Sequence, residues 1–154
     1  MGQLEGRVAL ITGASKGVGR VLSSVFAREG AAVVCAARSR ELVEETTAMV
    51  KAEGGRAIVV VGDAAVEADA QRMVEAGVKA FGKIDTLVNN AGDGGPTKPV
   101  QDYTTEDWFY TINSCLTSSY MCTRFVVPSM IKAGGGSIVN ISSVAGRRGL
   151  AYRI

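Results

Sequence analysis

The segment Thr12-Gly13-Ala14-Ser15-Lys16-Gly17-Val18-Gly19 constrains the fold of this chain more than any other. An apolar run, Val8-Ala9-Leu10-Ile11, leads into it, and a helical pattern leads out. A strand, a glycine-rich turn and a helix in that order make a cradle for a phosphate. The backbone N–H groups of the turn and the positive end of the helix both point at the anion. Glycine is needed where a side chain would block close approach or forbid the required backbone angles.

The rest of the chain repeats the strand–helix alternation. Arg7–Ile11 reads as a buried strand, and Gly17–Glu29 as a helix whose apolar face is Val18, Val21, Leu22, Val25 and Phe26, closed by Gly30. Ala31–Ala37 is a second strand. Ser39 stands where a helix cap belongs, ahead of a helix to about Glu53. After a turn at Gly54-Gly55 come a strand at Ala57–Val61, a helix at Glu67–Phe81 closed by Gly82, and a strand at Ile84–Asn89. The Gly/Pro-rich loop Gly92–Val100 follows, then one long helix from Thr105 to Lys132 with Pro128 near its end, and a fifth strand at Ser137–Ile141. The strands are apolar nearly throughout rather than alternating, as in parallel strands covered on both faces. The reading is a single α/β domain, residues 1–154, with a doubly wound, Rossmann-like parallel sheet. Ligands belong at the C-terminal ends of its strands, so Gly92–Val100 reads as an active-site loop rather than a linker.

Composition removes several function classes. The net charge of +2, from 17 basic and 15 acidic residues, sets up no strong field for nucleic acid or a membrane surface. The chain has no His, so it holds no Ser-His-Asp triad, and without a Cys-x-x-Cys pair a zinc site is not expected; no metal is assigned. Cys35, Cys115 and Cys122 lie in apolar or helical surroundings and read as reduced structural thiols of a cytoplasmic protein. The N-terminus has neither the charged and apolar regions of a signal peptide nor a hydroxyl residue at Gly6 that would favour lipidation of Gly2, and no apolar run is long enough to span a membrane.

The end of the second strand carries the cofactor signal. In a dinucleotide fold an acidic residue there binds the ribose 2′-hydroxyl, whereas an Arg accommodates a 2′-phosphate. This chain has Ala36-Ala37-Arg38-Ser39-Arg40 and no carboxylate. Arg38 can pair with phosphate bidentately, and Lys16 can add a second charge, which favours NADP over NAD. The competing reading makes Lys16, Arg38 and Arg40 ordinary solvated charges.

Four blocks in order give the chain a resemblance: Thr12 to Gly19, Asp63-Ala64, Asn89-Asn90-Ala91-Gly92, and Gly136 to Gly146 containing Ile141-Ser142-Ser143. Together they resemble the short-chain dehydrogenase/reductase family, over essentially the whole chain. The resemblance implies that Gly13, Ser15, Lys16, Gly17, Val18 and Gly19 hold the dinucleotide phosphates and that Asp63 and Ala64 meet the adenine. It also implies that Asn90, Ala91 and Gly92 line the floor near the nicotinamide ribose, and that a small carbonyl or alcohol is the substrate. Taken alone, Asp63 and Asn90 would read as capping or loop-bonding residues.

The family's catalytic set is a Ser, a Tyr-x-x-x-Lys and an Asn in the long helix, and Ser143 matches the Ser. No Tyr-x-x-x-Lys follows it before Ile154, and Tyr152, the sole tyrosine beyond Ser143, comes too early and reads as a loop residue. Trp108 and the Leu116-Thr117 pair put Cys115, not Asn113, in the Asn slot, and a thiol is a poor substitute for an amide. The chain is therefore expected to be the N-terminal part of an NADP-dependent, homo-oligomeric oxidoreductase, with little activity in this form. It is also expected to expose a fifth-strand edge and an apolar patch that favour association. The alternative is a non-catalytic nucleotide-binding or regulatory protein.

Overall fold

A computed structural model describes residues 2–153. Its five strands are β1 (Val8–Thr12), β2 (Ala32–Ala37), β3 (Arg56–Val61), β4 (Thr86–Asn89) and β5 (Ser137–Asn140). All pair in parallel, in the order β3-β2-β1-β4-β5. Between them run α1 (Gly17–Arg28), α2 (Arg40–Ala52) and α3 (Glu67–Phe81), and before β5 come α4 (Thr105–Ile112) and α5 (Ser118–Lys132). The chain order reverses at β1, whose neighbours are β2 on one side and β4 on the other. A crevice opens at such a switch point beyond the strand ends.

Burial explains why the strand sequences are apolar without alternation. Every residue of β1 and β2 is buried. Side chains alternate across the sheet with period two, so each face takes half of each strand. Val8, Leu10 and Val34 pack toward Met73 of α3 and Val126 of α5. Ala9, Ile11 and Val33 pack toward Leu22 and Phe26 of α1 and Val43 and Val50 of α2. The sheet is thus sandwiched between two helical layers, as the sequence reading expects.

Two local features depart from the sequence reading. The single helix expected over Thr105–Lys132 is interrupted: α4 and α5 are joined by a π-helical turn at Asn113–Thr117. α4 begins with a capping box, in which the Thr104 hydroxyl accepts from Asp107 N and the Asp107 carboxylate accepts from Thr104 N. Ser39 stands at the N-cap of α2, but its side chain makes no capping bond. At the far end of the sheet all of β5 is exposed, with Ile138, Val139 and Ile141 facing solvent, which matches the expected apolar edge.

At the opposite end of β4 sits a buried carboxylate. Asp85 Oδ1 accepts from Val8 N at 3.2 Å and from Thr86 Oγ1 at 3.0 Å, while Lys83 Nζ lies 2.7 Å from Oδ2. Burial would raise the Asp85 pKa, but the Lys83 ammonium, the Val8 N–H and the Thr86 hydroxyl together hold it below the usual carboxylate range. The carboxylate clips the start of β1 to the start of β4.

Candidate active site

A cavity of about 480 Å³ opens beyond the C-terminal ends of the strands, lined from the glycine-rich turn, the ends of β2, β3 and β4, and the π turn. Gly13, Ser15, Lys16, Gly17 and Val18 form one wall; Arg38, Asp63 and Ala64 stand on a second, and Asn90, Ala91 and Gly92 on a third. Of the sequence-derived binding residues, Gly19 alone does not line the cavity. It is buried beneath the turn, where an added Cβ would fall 2.2 Å from the Gly13 carbonyl oxygen. Its role is therefore close packing of α1 under the turn.

The turn is held to β4 by a short network that the sequence reading noted only as a motif. Thr12 Oγ1 accepts from Asn90 N at 3.1 Å and from Ala91 N at 3.0 Å, and donates to Val88 O at 3.4 Å. That uses the full capacity of a hydroxyl. Asn90 Nδ2 donates to Thr12 O at 3.0 Å and Gly13 O at 3.3 Å. One strand deeper, Asn89 Nδ2 donates to Asn140 Oδ1 at 2.8 Å and Thr123 Oγ1 at 3.2 Å, tying β4 to β5 and α5.

The start of α1 suits an anion. Lys16 is its N-cap and makes no side-chain capping bond, and the first turn carries no acidic residue. The first intrahelical backbone bond runs from Arg20 N to Lys16 O, so the preceding amides have no acceptor within the helix. Their partial positive charge is directed at the cavity wall that they form.

The rim is charged. The Arg38 guanidinium lies 3.9 Å from Asp63 Oδ2, both groups half exposed. A pair this long and this wet is weak and readily exchanged for a better anion. The Tyr110 hydroxyl above all raises the Arg38 pKa, outweighing the opposing effect of burial, and the charges of Asp63 and Asp93 add to the rise, so the side chain keeps its charge. Asp63 also has the loop role that its residue type suggests: Oδ1 accepts from Ala65 N at 2.9 Å. Asp93, which the sequence reading did not single out, lines the cavity too. The Tyr110 hydroxyl at 2.8 Å, the Gly95 N–H, and the charges of Arg38 and Lys16 hold its carboxylate below the ordinary range despite some burial.

The residues expected at the catalytic end lie elsewhere. Ser143 is exposed in the loop after β5, its hydroxyl accepting from Ala145 N at 3.3 Å, and it is not part of the cavity lining. Tyr152 is exposed with φ +63°, and its carbonyl accepts from Lys98 N and the Tyr103 hydroxyl. Asn113 accepts from Thr117 Oγ1 on the exposed side of the π turn, whereas Cys115 turns toward the β4 loop, with Sγ 3.2 Å from Asp93 O. Ser114 of the same turn and Ser118 at the start of α5 line the cavity. Among the described residues no cluster of His, Cys, Asp and Glu could hold a metal ion, and no helix is long and apolar enough to cross a membrane.

Comparison with known proteins agrees with this geometry. The sequence model of a family described as short chain dehydrogenase matches residues 7–154. A 7alpha-hydroxysteroid dehydrogenase of Clostridium sardiniense is 40% identical over 146 residues, covering 94% of this chain and 56% of the relative. A 3-oxoacyl-[acyl-carrier-protein] reductase of Thermotoga maritima is 39% identical over 94% of this chain and 58% of its own length. The crystal structure of an NAD+-bound xylitol dehydrogenase superposes with a TM-score of 0.93 at 35% identity, covering 97% of this chain and 58% of that one. The chain thus spans little more than half the length of these relatives.

Proposed function

Because this chain belongs to the short chain dehydrogenase family, we propose that it is the dinucleotide-holding part of an NADP-dependent oxidoreductase that interconverts a carbonyl and a secondary alcohol. The observation that carries the NADP reading is the pairing of Lys16 and Arg38 on the cavity rim with no carboxylate between Ala36 and Arg40. When bound, the nicotinamide supplies or receives the hydride. This chain's own groups bind and orient. The amides at the start of α1 receive the pyrophosphate. Lys16 and Arg38 take the 2′-phosphate, Arg38 exchanging its long contact to Asp63 for a bidentate one. Ala64 and Asp63 border the adenine, and Asn90, Ala91 and Gly92 form the floor toward the nicotinamide end. The cradle fits the group: the first turn of α1 carries no acidic residue, and Arg38 on the rim is only loosely paired.

On the family's pattern Ser143 orients the substrate oxygen. The proton-transferring Tyr and its Lys have no counterpart at the family's spacing within residues 1–154, so the 154-residue polypeptide by itself is expected to bind cofactor without turning over substrate. Three free thiols fit a cytoplasmic, reducing setting.

Fluorescence titration with NADPH and NADH tests the cofactor reading. The expected result is tighter NADPH binding, with Arg38→Ala weakening NADPH about tenfold and leaving NADH unchanged. NADH binding as tight as NADPH, together with indifference to Arg38→Ala, overturns it.

A further inference from the structure

Arg20 stands on α1 just behind the glycine-rich turn, and its guanidinium does not face solvent as a helix-surface arginine would. Nε and Nη2 both donate to the Ser15 carbonyl oxygen, at 3.1 and 2.8 Å. Nη2 also lies 3.3 Å from Leu42 O and 3.1 Å from Glu45 Oε2, and Nε lies 3.0 Å from Thr46 Oγ1. The Thr46 hydroxyl, fully buried, donates in turn to Leu42 O at 3.0 Å. One side chain of α1 therefore grips the carbonyl in the middle of the turn and the first turns of α2 together.

The consequence lies in the peptide plane. In a trans peptide the carbonyl of Ser15 and the N–H of Lys16 point in opposite directions. Holding the Ser15 oxygen against α2 therefore also fixes the opposite-facing Lys16 N–H, in a peptide whose two residues both line the cavity. The same grip fixes where α2 begins, and α2 begins directly after Arg38-Ser39. We propose that Arg20 is a positioning residue for the dinucleotide site: it aims the Lys16 amide into the phosphate cradle and locks the cradle to the rim that carries Arg38. It touches no ligand itself. The planar fork matters, since two guanidinium nitrogens, Nε and Nη2, meet Ser15 O side by side and reach on to Thr46 Oγ1 and Leu42 O, whereas a lysine offers one nitrogen.

This inference rests on the dinucleotide reading, and its test separates the two. Hydrogen exchange at single-amide resolution is measured on wild type, Arg20→Met, Arg20→Lys and the milder Thr46→Val, with calorimetric titration of NADPH and NADH at a temperature where every variant is folded. In Arg20→Met the Ala14 and Val43 amides, hydrogen-bonded in the turn and at the start of α2, should exchange at least tenfold faster while the β1 and α3 amides keep their protection. Both dinucleotides should weaken, NADH about tenfold because the pyrophosphate is common to both, and NADPH at least as much because Arg38 rides on the loosened rim. Arg20→Lys and Thr46→Val should fall between wild type and Arg20→Met. Unchanged affinity in Arg20→Met, exchange that rises uniformly over the chain, or loss confined to NADPH each overturns the proposal, the last by making Arg20 a 2′-phosphate ligand. If wild type binds neither dinucleotide, the functional reading falls, and the local exchange pattern alone decides whether Arg20 positions the turn.

Discussion

Replacing Gly19 by Ala isolates what close packing contributes to the site. Gly19 is not one of the residues with positive φ, so its backbone would accept an alanine; the obstacle is space alone. The new Cβ would sit 2.2 Å from Gly13 O and 2.6 Å from Asn90 Nδ2. Ordinary contact begins near 3.4 Å, so the turn and the helix must part by about 1 Å. Such overpacking costs about 1–3 kcal/mol. Opening the turn also stretches the Asn90 bonds to Thr12 O and Gly13 O, at about 1 kcal/mol each. Against this, alanine gains about 1 kcal/mol of helix propensity. The expected net loss is about 2–4 kcal/mol, read as a lower urea midpoint at constant slope. Dinucleotide affinity should fall further, roughly a hundredfold, because a 1 Å displacement moves the amides off the phosphate. Gly17→Ala is the control: φ is +55° there and no atom lies within 4 Å of the new Cβ, so only a conformational penalty of about 1–2 kcal/mol applies. A Gly19→Ala protein that unfolds at the wild-type urea concentration would show that the turn opens freely, and the packing argument would be refuted.

Asp85→Asn should destabilise the fold by about 1–3 kcal/mol, since the amide loses the Lys83 ion pair while remaining buried. Because the folded-state pKa of Asp85 is depressed, its contribution is present above its unfolded value near 4 and disappears as pH falls through the lower folded value. Urea midpoints from pH 7 downward should therefore fall more steeply in wild type than in Asp85→Asn; parallel curves would remove this role. Among the thiols, burial pushes Cys122 up to about 12 and also raises Cys35, whereas Cys115 is exposed. A disulfide reagent at pH 8 should titrate one thiol of the native chain quickly and all three only in denaturant, and the fast thiol should vanish in Cys115→Ser.

The sheet was legible because burial on both faces leaves its mark on every residue of β1 and β2, and because glycines punctuate the helices. The phosphate cradle was legible because its geometry demands residue types that few other structures need. The π turn was not: slipping from the i−4 to the i−5 acceptor changes the backbone register without requiring any particular side chain. It nevertheless decides that Ser114 and Ser118 reach the cavity and that Cys115 turns to the β4 loop while Asn113 turns away. Arg20 was hidden for another reason. A polar residue between Gly19 and Val21 fits the solvent side of an amphipathic helix, and only the approach of α2 shows that this side is covered. Asp85 was likewise read as part of an apolar strand, because a lone carboxylate announces no partner in sequence.

The strand order has a consequence for how the protein comes into being. A ribosome releases β1, β2 and β3 first, and these three can zip into half a sheet by about residue 61, each joined through its own helix. The glycine-rich turn then already exists in sequence, yet Thr12 Oγ1 still lacks the Asn90 and Ala91 amides, and the Gly13 carbonyl still lacks the Asn90 side chain. Those arrive only when β4 crosses to the free side of β1, a pairing between positions nearly eighty residues apart in the chain. The nucleotide cradle is thus completed late, after the half-sheet that carries it, and nascent chains shorter than about ninety residues should have no fixed cradle to offer a cofactor.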